Sequence, residues 1–168
     1  MLHIYHGDGK GKTTAALGLV MRQLGHAQKV LVVQFLKDGK SGDISFLKQQ
    51  PLVTCLYSPM PKLFYYQMGQ EMRVTTALSQ HALFETAEQT AAQYACILLD
   101  EALDALQLGI LQEIEMLAFL NANKAREIIL TGRNPSKNIL ACGDYITQMK
   151  MEKHPYQKQQ APRKGVEY

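Results

Sequence analysis

The sequence is poor in the features that define several large classes of protein. It has no tryptophan and only three cysteines, which cannot all pair with one another and form no CxxC motif. We therefore expect neither a disulfide-stabilised scaffold nor a structural zinc site. No apolar run approaches the roughly 20 residues that a membrane-spanning helix needs, and glycines and lysines follow the first apolar run too soon for a signal peptide. These absences predict a reduced, cytoplasmic protein with no membrane partner.

Charge is also scarce, at 20% of the 168 residues, whereas hydrophobic residues make up 46%. The chain thus has enough apolar material for a core and too little charge for disorder. The net charge of +3 favours anionic ligands but does not indicate nucleic acid as a partner. The length suits one domain over residues 1–168. Within it, residues 150–168 are rich in Lys, Gln, His and Pro and are expected to form a C-terminal tail or lid.

Short apolar runs alternate with helical patterns along the whole chain. Strands are predicted over residues 1–5, 30–35, 52–57, 95–99, 127–130 and 144–149. Helices are predicted over residues 12–24 (closed by Gly25), 67–94, 110–118 and shortly after residue 133. In the second helix, the residues expected to face the core are Met68, Met72, Leu83, Ala87 and Ala91. In the third helix, they are Ile110, Leu111, Ile114, Leu117 and Ala118. This alternation predicts an α/β fold, with a parallel sheet covered by helices on both faces and ligands at the carboxyl ends of the strands.

A glycine- and lysine-rich segment lies between the first strand and the first helix. It reads Gly7-Asp8-Gly9-Lys10-Gly11-Lys12-Thr13-Thr14 and matches the phosphate-loop pattern except that His6 stands at the first glycine position. Its backbone N–H groups and the helix N-terminus are expected to bind phosphates, with Lys12 on the outer phosphates and Thr13 on Mg²⁺. The alternative is a chance Gly/Lys-rich turn. In this position the segment favours a P-loop NTPase-like (RecA-like) fold.

Two carboxylates, Asp100 and Glu101, end the apolar run that starts at Cys96. At the carboxyl edge of the sheet they would complete a Mg²⁺ site with Thr13. The alternative is a helix N-terminus that carries acidic residues. Together with the phosphate loop, these residues suit a Mg-dependent P-loop ATPase, a small-molecule kinase or another transferase, and the residues by themselves leave that choice open.

Several further segments resemble one family of P-loop enzymes. They are Gly7–Thr14 with the two alanines that follow, Gly25-His26, Val33 to Lys37, Leu99 to Glu101, Thr131 to Arg133, and the chain end from Lys153 to Tyr168. In this order they are similar to the P-loop type of ATP:corrinoid adenosyltransferase, which makes adenosylcobalamin. The resemblance covers essentially the whole chain.

The resemblance implies that ATP is the co-substrate and a corrinoid the acceptor. Reduced Co(I) would attack C5′ of the ribose and release triphosphate, so that no general base is needed. By carry-over, the phosphate loop binds the triphosphate, with Lys12, Thr13 and Glu101 as the residues that carry catalysis. Thr13 and Glu101 would hold Mg²⁺ with support from Asp100. Arg133, which follows a strand, is either a further nucleotide contact or a surface arginine.

The sequence departs from the family pattern in three places, one of which is the tail, where Gln159, Gln160 and Pro162 interrupt the family's more basic, glycine-containing stretch. The family often has a Phe-x-Trp pair that displaces the lower ligand of cobalt, and the counterpart here is Phe64 with Tyr66 in the segment Leu63 to Tyr66. The alternative is that these rings are ordinary packing. The chain also begins directly with its first strand, whereas some members have an N-terminal extension over the partner subunit's site. The family further implies a homodimer and a reduced flavoprotein as electron donor.

Overall fold

A parallel sheet of six strands forms the centre of the described part of the chain, residues 1–61, 63–153, 155, 161 and 163–166 of this computed structural model. The strands are β1 (Leu2–His6), β2 (Val30–Gln34), β3 (Val53–Tyr57), β4 (Cys96–Asp100), β5 (Glu127–Gly132) and β6 (Tyr145–Gln148). Their order across the sheet is β3-β2-β4-β5-β1-β6, and each neighbouring pair is parallel. The predicted α/β class and parallel sheet are confirmed.

Helices cover both faces of this sheet. They are α1 (Lys12–Gly25), α2 (Gly42–Leu47), α3 (Gln70–Thr90), α4 (Ala102–Gln107), α5 (Glu113–Ala122) and α6 (Lys137–Cys142). Because side chains alternate along a strand, Val30 and Val32 of β2 pack under α1 and α2, while Leu31 and Val33 pack under the other helices. The core is therefore two apolar layers, one on each side of a sheet whose β2 and β4 are fully buried.

Helix boundaries and faces differ from prediction at several positions. α1 continues through Gly25, and the left-handed residue that follows it is Ala27, with φ of 56°. Met72 in α3 and both Ile114 and Ala118 in α5 are exposed, so their assignment to the core was wrong. The buried line of α3 instead includes the polar residue Gln80, whose side chain finds hydrogen-bond partners inside the protein.

The third predicted helix is in fact two separate segments. Ile110 and Leu111 are buried, but they precede α5 in the connection that follows Gly109, where φ is 69°. The short helices α2 and α4 were not predicted, because six residues give too little periodicity to recognise. The helical spacing of apolar residues placed Ile110 and Leu111 in a helix, whereas tertiary packing buries them in the turn that precedes α5.

No helix within residues 1–61 and 63–153 is long and apolar enough to cross a bilayer. Much of the predicted tail or lid, including His154 and residues 156–160, lies outside the described residues. The tail therefore stays a prediction.

Candidate active site

The segment after β1 folds as a tight loop whose glycines are required by its geometry. Gly7 and Gly11 have φ of 110° and 113°, which L side chains rarely adopt. A Cβ at Gly7 would overlap the carbonyl of Met149, and the Gly9 N–H donates to that carbonyl oxygen at 2.8 Å. α1 begins at Lys12, so its free N–H groups face the loop. The loop has the geometry expected of a phosphate loop.

Lys12 lies across this loop. Its Nζ donates to the carbonyl oxygens of Gly7 at 2.8 Å and Gly9 at 2.9 Å. Burial lowers the pKa of Lys12, and the nearby charge of Arg133 lowers it further against the opposing pull of Glu101. A cation is therefore held at the point where the predicted phosphates would sit.

The carboxyl end of β4 places Asp100 beside the start of α1. The Asp100 side chain is fully buried, and its Oδ1 accepts from the hydroxyls of Thr13 at 2.9 Å and Thr131 at 2.7 Å. Its Oδ2 accepts from the amide of Gln34 at 3.2 Å. The structure thus brings Thr13 and Asp100 together, as the sequence predicted, and adds two polar residues from the ends of β2 and β5.

Glu101 is fixed next to Asp100 by an unusual backbone conformation. Its φ is 59°, a region that non-glycine residues seldom adopt, and its N–H donates to the Thr131 hydroxyl at 2.9 Å. Burial raises the pKa of Glu101 to about 7; Lys37 opposes this rise and Asp100 adds to it. Strained backbone at such a position is typical of functional sites.

Lys37 is the central site residue to which the sequence analysis gave no role. Its Nζ lies 2.7 Å from Asp100 Oδ2, 3.2 Å from Glu101 Oε1 and 3.2 Å from Thr13 Oγ1. Burial acts to lower the pKa of Lys37, but the two carboxylates outweigh it and raise that pKa. The available signal was that Gln34 ends a buried strand, and Lys37 follows it, at the same carboxyl edge of the sheet as Asp100.

The remaining predicted phosphate contacts lie around the rim of the loop. Asp8 Oδ1 accepts from the N–H of Met151 at 3.1 Å, and Lys10 Nζ donates to the carbonyl of Val166 at 2.9 Å. Thr14 is exposed on the first turn of α1. The side chains of Asp8 and Lys10 thus contact the segment that follows β6. The role of Asp8, Lys10 and Thr14 in binding ATP stays a prediction.

Arg133 follows β5 on the other side of the loop. Its backbone N–H donates to Asp104 Oδ2 at 2.9 Å, and its exposed side chain is close enough to Lys12 to affect that residue's pKa. This location is compatible with a nucleotide contact, which stays a prediction.

An apolar cavity of about 460 Å³ adjoins the site. Leu36, Met60, Pro61 and Leu63 line it together with the aromatic turn (residues 64–67), and Asp104, Gln107 and Leu108 of the α4 region complete it. The rings of Phe64 and Tyr66 are stacked 5.5 Å apart and are 68% and 69% exposed, so they are not part of the core. Arg73 holds the turn by donating to the carbonyls of Tyr65 and Tyr66 at 3.2 and 2.7 Å.

Gln80 links the wall of the cavity to the cluster of Lys37, Asp100 and Glu101 through its contact with Leu36. Its side chain is fully buried; Oε1 accepts from the N–H of Leu36 at 2.8 Å, and Nε2 donates to Ser58 Oγ at 2.6 Å. Leu36 has φ of 56° and precedes Lys37. Gln80 therefore fixes the turn that carries Lys37.

Replacing Gln80 with Leu should lower the free energy of unfolding by about 1–3 kcal/mol, because the partly buried N–H of Leu36 loses its acceptor and the buried Ser58 hydroxyl loses its shortest hydrogen bond. Urea denaturation followed by circular dichroism measures this. The control is Gln89→Leu at an exposed position of the same helix, for which the change should stay within about 0.5 kcal/mol. Equal changes in the two variants would contradict the assignment of Gln80.

Known proteins resemble the chain over its whole length. A family model described as ATP:corrinoid adenosyltransferase BtuR/CobO/CobP matches residues 1–168. A corrinoid adenosyltransferase of Pseudomonas aeruginosa is 33% identical over 178 residues, which cover 100% of this chain and 83% of the relative. Corrinoid adenosyltransferases of Escherichia coli (strain K12) and Salmonella typhimurium are 29% and 28% identical, each over 98% of this chain and 84% of the relative.

Proposed function

The chain belongs to the ATP:corrinoid adenosyltransferase family BtuR/CobO/CobP, and from this premise we propose which of its residues carry the reaction. The family and the relatives indicate a transferase that moves the adenosyl group of ATP to a corrinoid, and they do not favour the ATPase or kinase alternative. The observation that carries the proposal is the convergence of three features at one edge of the sheet. They are the phosphate loop, the Thr13–Asp100–Glu101 cluster, and an apolar cavity beside them.

The phosphate loop, residues 7–14, binds the triphosphate of ATP. Its glycines turn backbone N–H groups toward one small volume, and the N-terminus of α1 adds its positive dipole end. Lys12 supplies the central positive charge, and Arg133 lies near it. When the C5′–O bond breaks, negative charge grows on the leaving triphosphate, and these groups are already oriented to stabilise it.

Mg²⁺ is held by Thr13 and Glu101, with Asp100 in support. A hydroxyl and two carboxylates are the oxygen donors that Mg²⁺ prefers, so the donor set fits the ion. When bound, the ion would neutralise phosphate charge. The residues themselves have defined tasks: Asp100 orients the Thr13 hydroxyl, and Thr131 orients both Asp100 and the backbone of Glu101.

The corrinoid occupies the cavity next to the nucleotide site, with Phe64 and Tyr66 against its lower face. Both rings are exposed, stacked, and fixed by Arg73 through the backbone of the aromatic turn. The apolar lining excludes water from the reacting centre. Co(I) then forms a bond to C5′ as the bond from C5′ to the triphosphate oxygen breaks. The protein's task is to position the two substrates and to neutralise the leaving group.

Four further predictions complete the proposal. The chain acts as one P-loop domain over residues 1–168, with residues 150–168 as a tail or lid. It works as a homodimer, receives electrons from a reduced flavoprotein, and is cytoplasmic. These predictions rest on the sequence and on the resemblance to the family.

Product analysis tests the proposed function. The full chain is incubated with ATP, Mg²⁺ and chemically reduced corrinoid, and products are separated by chromatography. We expect intact triphosphate and a light-sensitive cobalt–carbon product in equal amounts. Orthophosphate released at the same rate without corrinoid would identify an ATPase and overturn the proposal.

Replacing Phe64 and Tyr66 together with Ala should slow adenosylation most when a weak biological reductant supplies the electron. If the rings exclude the lower ligand of cobalt, their loss makes Co(II) harder to reduce. The loss of rate should be much smaller when Co(I) has already been made by a strong chemical reductant. Rates under both regimes and the melting temperature are measured together.

The matched control is Phe46→Ala, which removes an exposed ring from α2 on the other face of the sheet. It should leave both rates unchanged. Because Phe64 and Tyr66 are exposed, the double variant should keep its melting temperature within a few degrees. An unstable double variant with equal losses under both regimes would contradict the corrinoid assignment.

A further inference from the structure

One ammonium group lies where the divalent cation is proposed to bind. Lys37 Nζ contacts Asp100 Oδ2, Glu101 Oε1 and Thr13 Oγ1 at 2.7, 3.2 and 3.2 Å. These are the same three residues to which the proposed function assigns Mg²⁺. The side chain of Lys37 thus already supplies one positive charge to the oxygens of the metal site.

The ammonium and the metal ion cannot use these oxygens at the same time. Mg²⁺ binds its ligands in near-octahedral geometry at about 2.0–2.1 Å, so it competes with the ammonium for the lone pairs of the same oxygen atoms. The two cations would also repel each other in a buried site, where water screens charge weakly. Binding of the metal therefore requires Lys37 to move.

The structure fixes the backbone of this lysine and leaves part of its side chain exposed. The preceding residue, Leu36, is anchored through its N–H to the buried side chain of Gln80. The Lys37 side chain is 33% exposed, whereas that of Asp100 is fully buried. A rotamer change of Lys37 therefore vacates the metal site without disturbing the sheet.

We propose that Lys37 is an exchangeable occupant of the metal site. Its ammonium neutralises Asp100 and Glu101 until a divalent cation displaces it, and the triphosphate then becomes the anionic partner of the displaced ammonium. Metal alone therefore binds weakly, because it must break two ion pairs with no new partner for Lys37. Metal and triphosphate bind cooperatively, each favouring the same position of the lysine. This inference rests on the proposed metal site.

Titration with Mn²⁺, followed by electron paramagnetic resonance, tests this directly on the full chain, without corrinoid and without turnover. The variants are Lys37→Met and the control Lys40→Met, which removes a lysine that is 79% exposed and pairs with Asp38. We expect Lys37→Met to bind Mn²⁺ alone at least tenfold more tightly than the wild type. Tripolyphosphate should tighten Mn²⁺ binding strongly in the wild type and in Lys40→Met, and at least tenfold less in Lys37→Met.

Mn²⁺ binding to Lys37→Met that is equal to or weaker than wild-type binding overturns the inference and leaves the proposed metal site intact. Mn²⁺ binding that is absent from every protein, with and without tripolyphosphate, overturns the metal site and the inference together. The two failures are therefore distinguishable.

The wild-type protein supplies a second measurement, which holds even if Lys37→Met does not fold. Acetic anhydride is applied with and without saturating Mn²⁺, and acetylation of each lysine is quantified by mass spectrometry. We expect Lys37 to react at least threefold faster when Mn²⁺ is present, because displacement frees its amine, while Lys40 reacts equally in both. Protection of Lys37 that persists at saturating Mn²⁺ overturns the inference.

Discussion

Lys12→Ala should reduce turnover by about a hundredfold at saturating ATP. The substitution removes the cation that lies across the loop of residues 7–14, where the proposed function places the leaving triphosphate and its growing negative charge. Losing one such stabilising contact in a preorganised site costs on the order of 3 kcal/mol. Because the effect is on the transition state, kcat should fall more than KM rises. Steady-state kinetics with pre-reduced corrinoid measures both.

The control for this prediction is Lys124→Ala, which removes an exposed lysine from the connection before β5. This connection lies at the amino ends of the strands, away from the proposed site. Its turnover should equal that of the wild type. Near-normal activity of Lys12→Ala at saturating ATP would show that the phosphate loop does not act as proposed.

Glu101→Gln should lower activity at low Mg²⁺ by on the order of a hundredfold, because a metal ion bound at the proposed site would contribute several kcal/mol of charge stabilisation. As a ligand defect, the loss should be partly rescued by raising the metal concentration. If Glu101 acted instead as a general base, raising the metal concentration would not rescue the activity, since metal cannot restore a missing proton acceptor. Activity is measured across a Mg²⁺ titration, with metal binding measured in parallel.

Glu85→Gln, at an exposed position of α3, is the matched control and should follow the wild-type metal titration. If Glu101→Gln binds metal normally and is not rescued, Glu101 is not a ligand and the hydrolase interpretation regains support.

The parts of the site that were predictable from sequence are those encoded locally. The loop at residues 7–14 has its glycines, lysine and threonine in one short segment. Asp100 and Glu101 directly follow a buried apolar strand. For both, the rule that parallel strands end at a common edge was sufficient to place them together.

The parts that were missed depend on which strands are neighbours. Lys37 reaches Asp100 because β2 lies next to β4, although 63 residues separate them in the chain. No local pattern reports that pairing. The burial of Gln80 in α3 was unpredictable for the same reason. Its hydrogen-bond partners, the N–H of Leu36 and the hydroxyl of Ser58, come from other parts of the chain. Ile114, by contrast, fitted the helical period and is nevertheless exposed, because tertiary packing overrides a short periodic pattern.

The position of β1 between β5 and β6 has a consequence for biosynthesis. The N–H of Leu2 donates to Asp144, 142 residues later, and the phosphate loop packs on the backbone of Met149. At ribosomal rates of about 5–20 residues per second, the first strand waits on the order of ten seconds for its last partner. Until then β1 has an unpaired edge, the kind of surface that chaperones shield from aggregation. The phosphate loop, residues 7–14, is thus synthesised long before Met149, on which it packs, and reaches its final form only after that residue is in place.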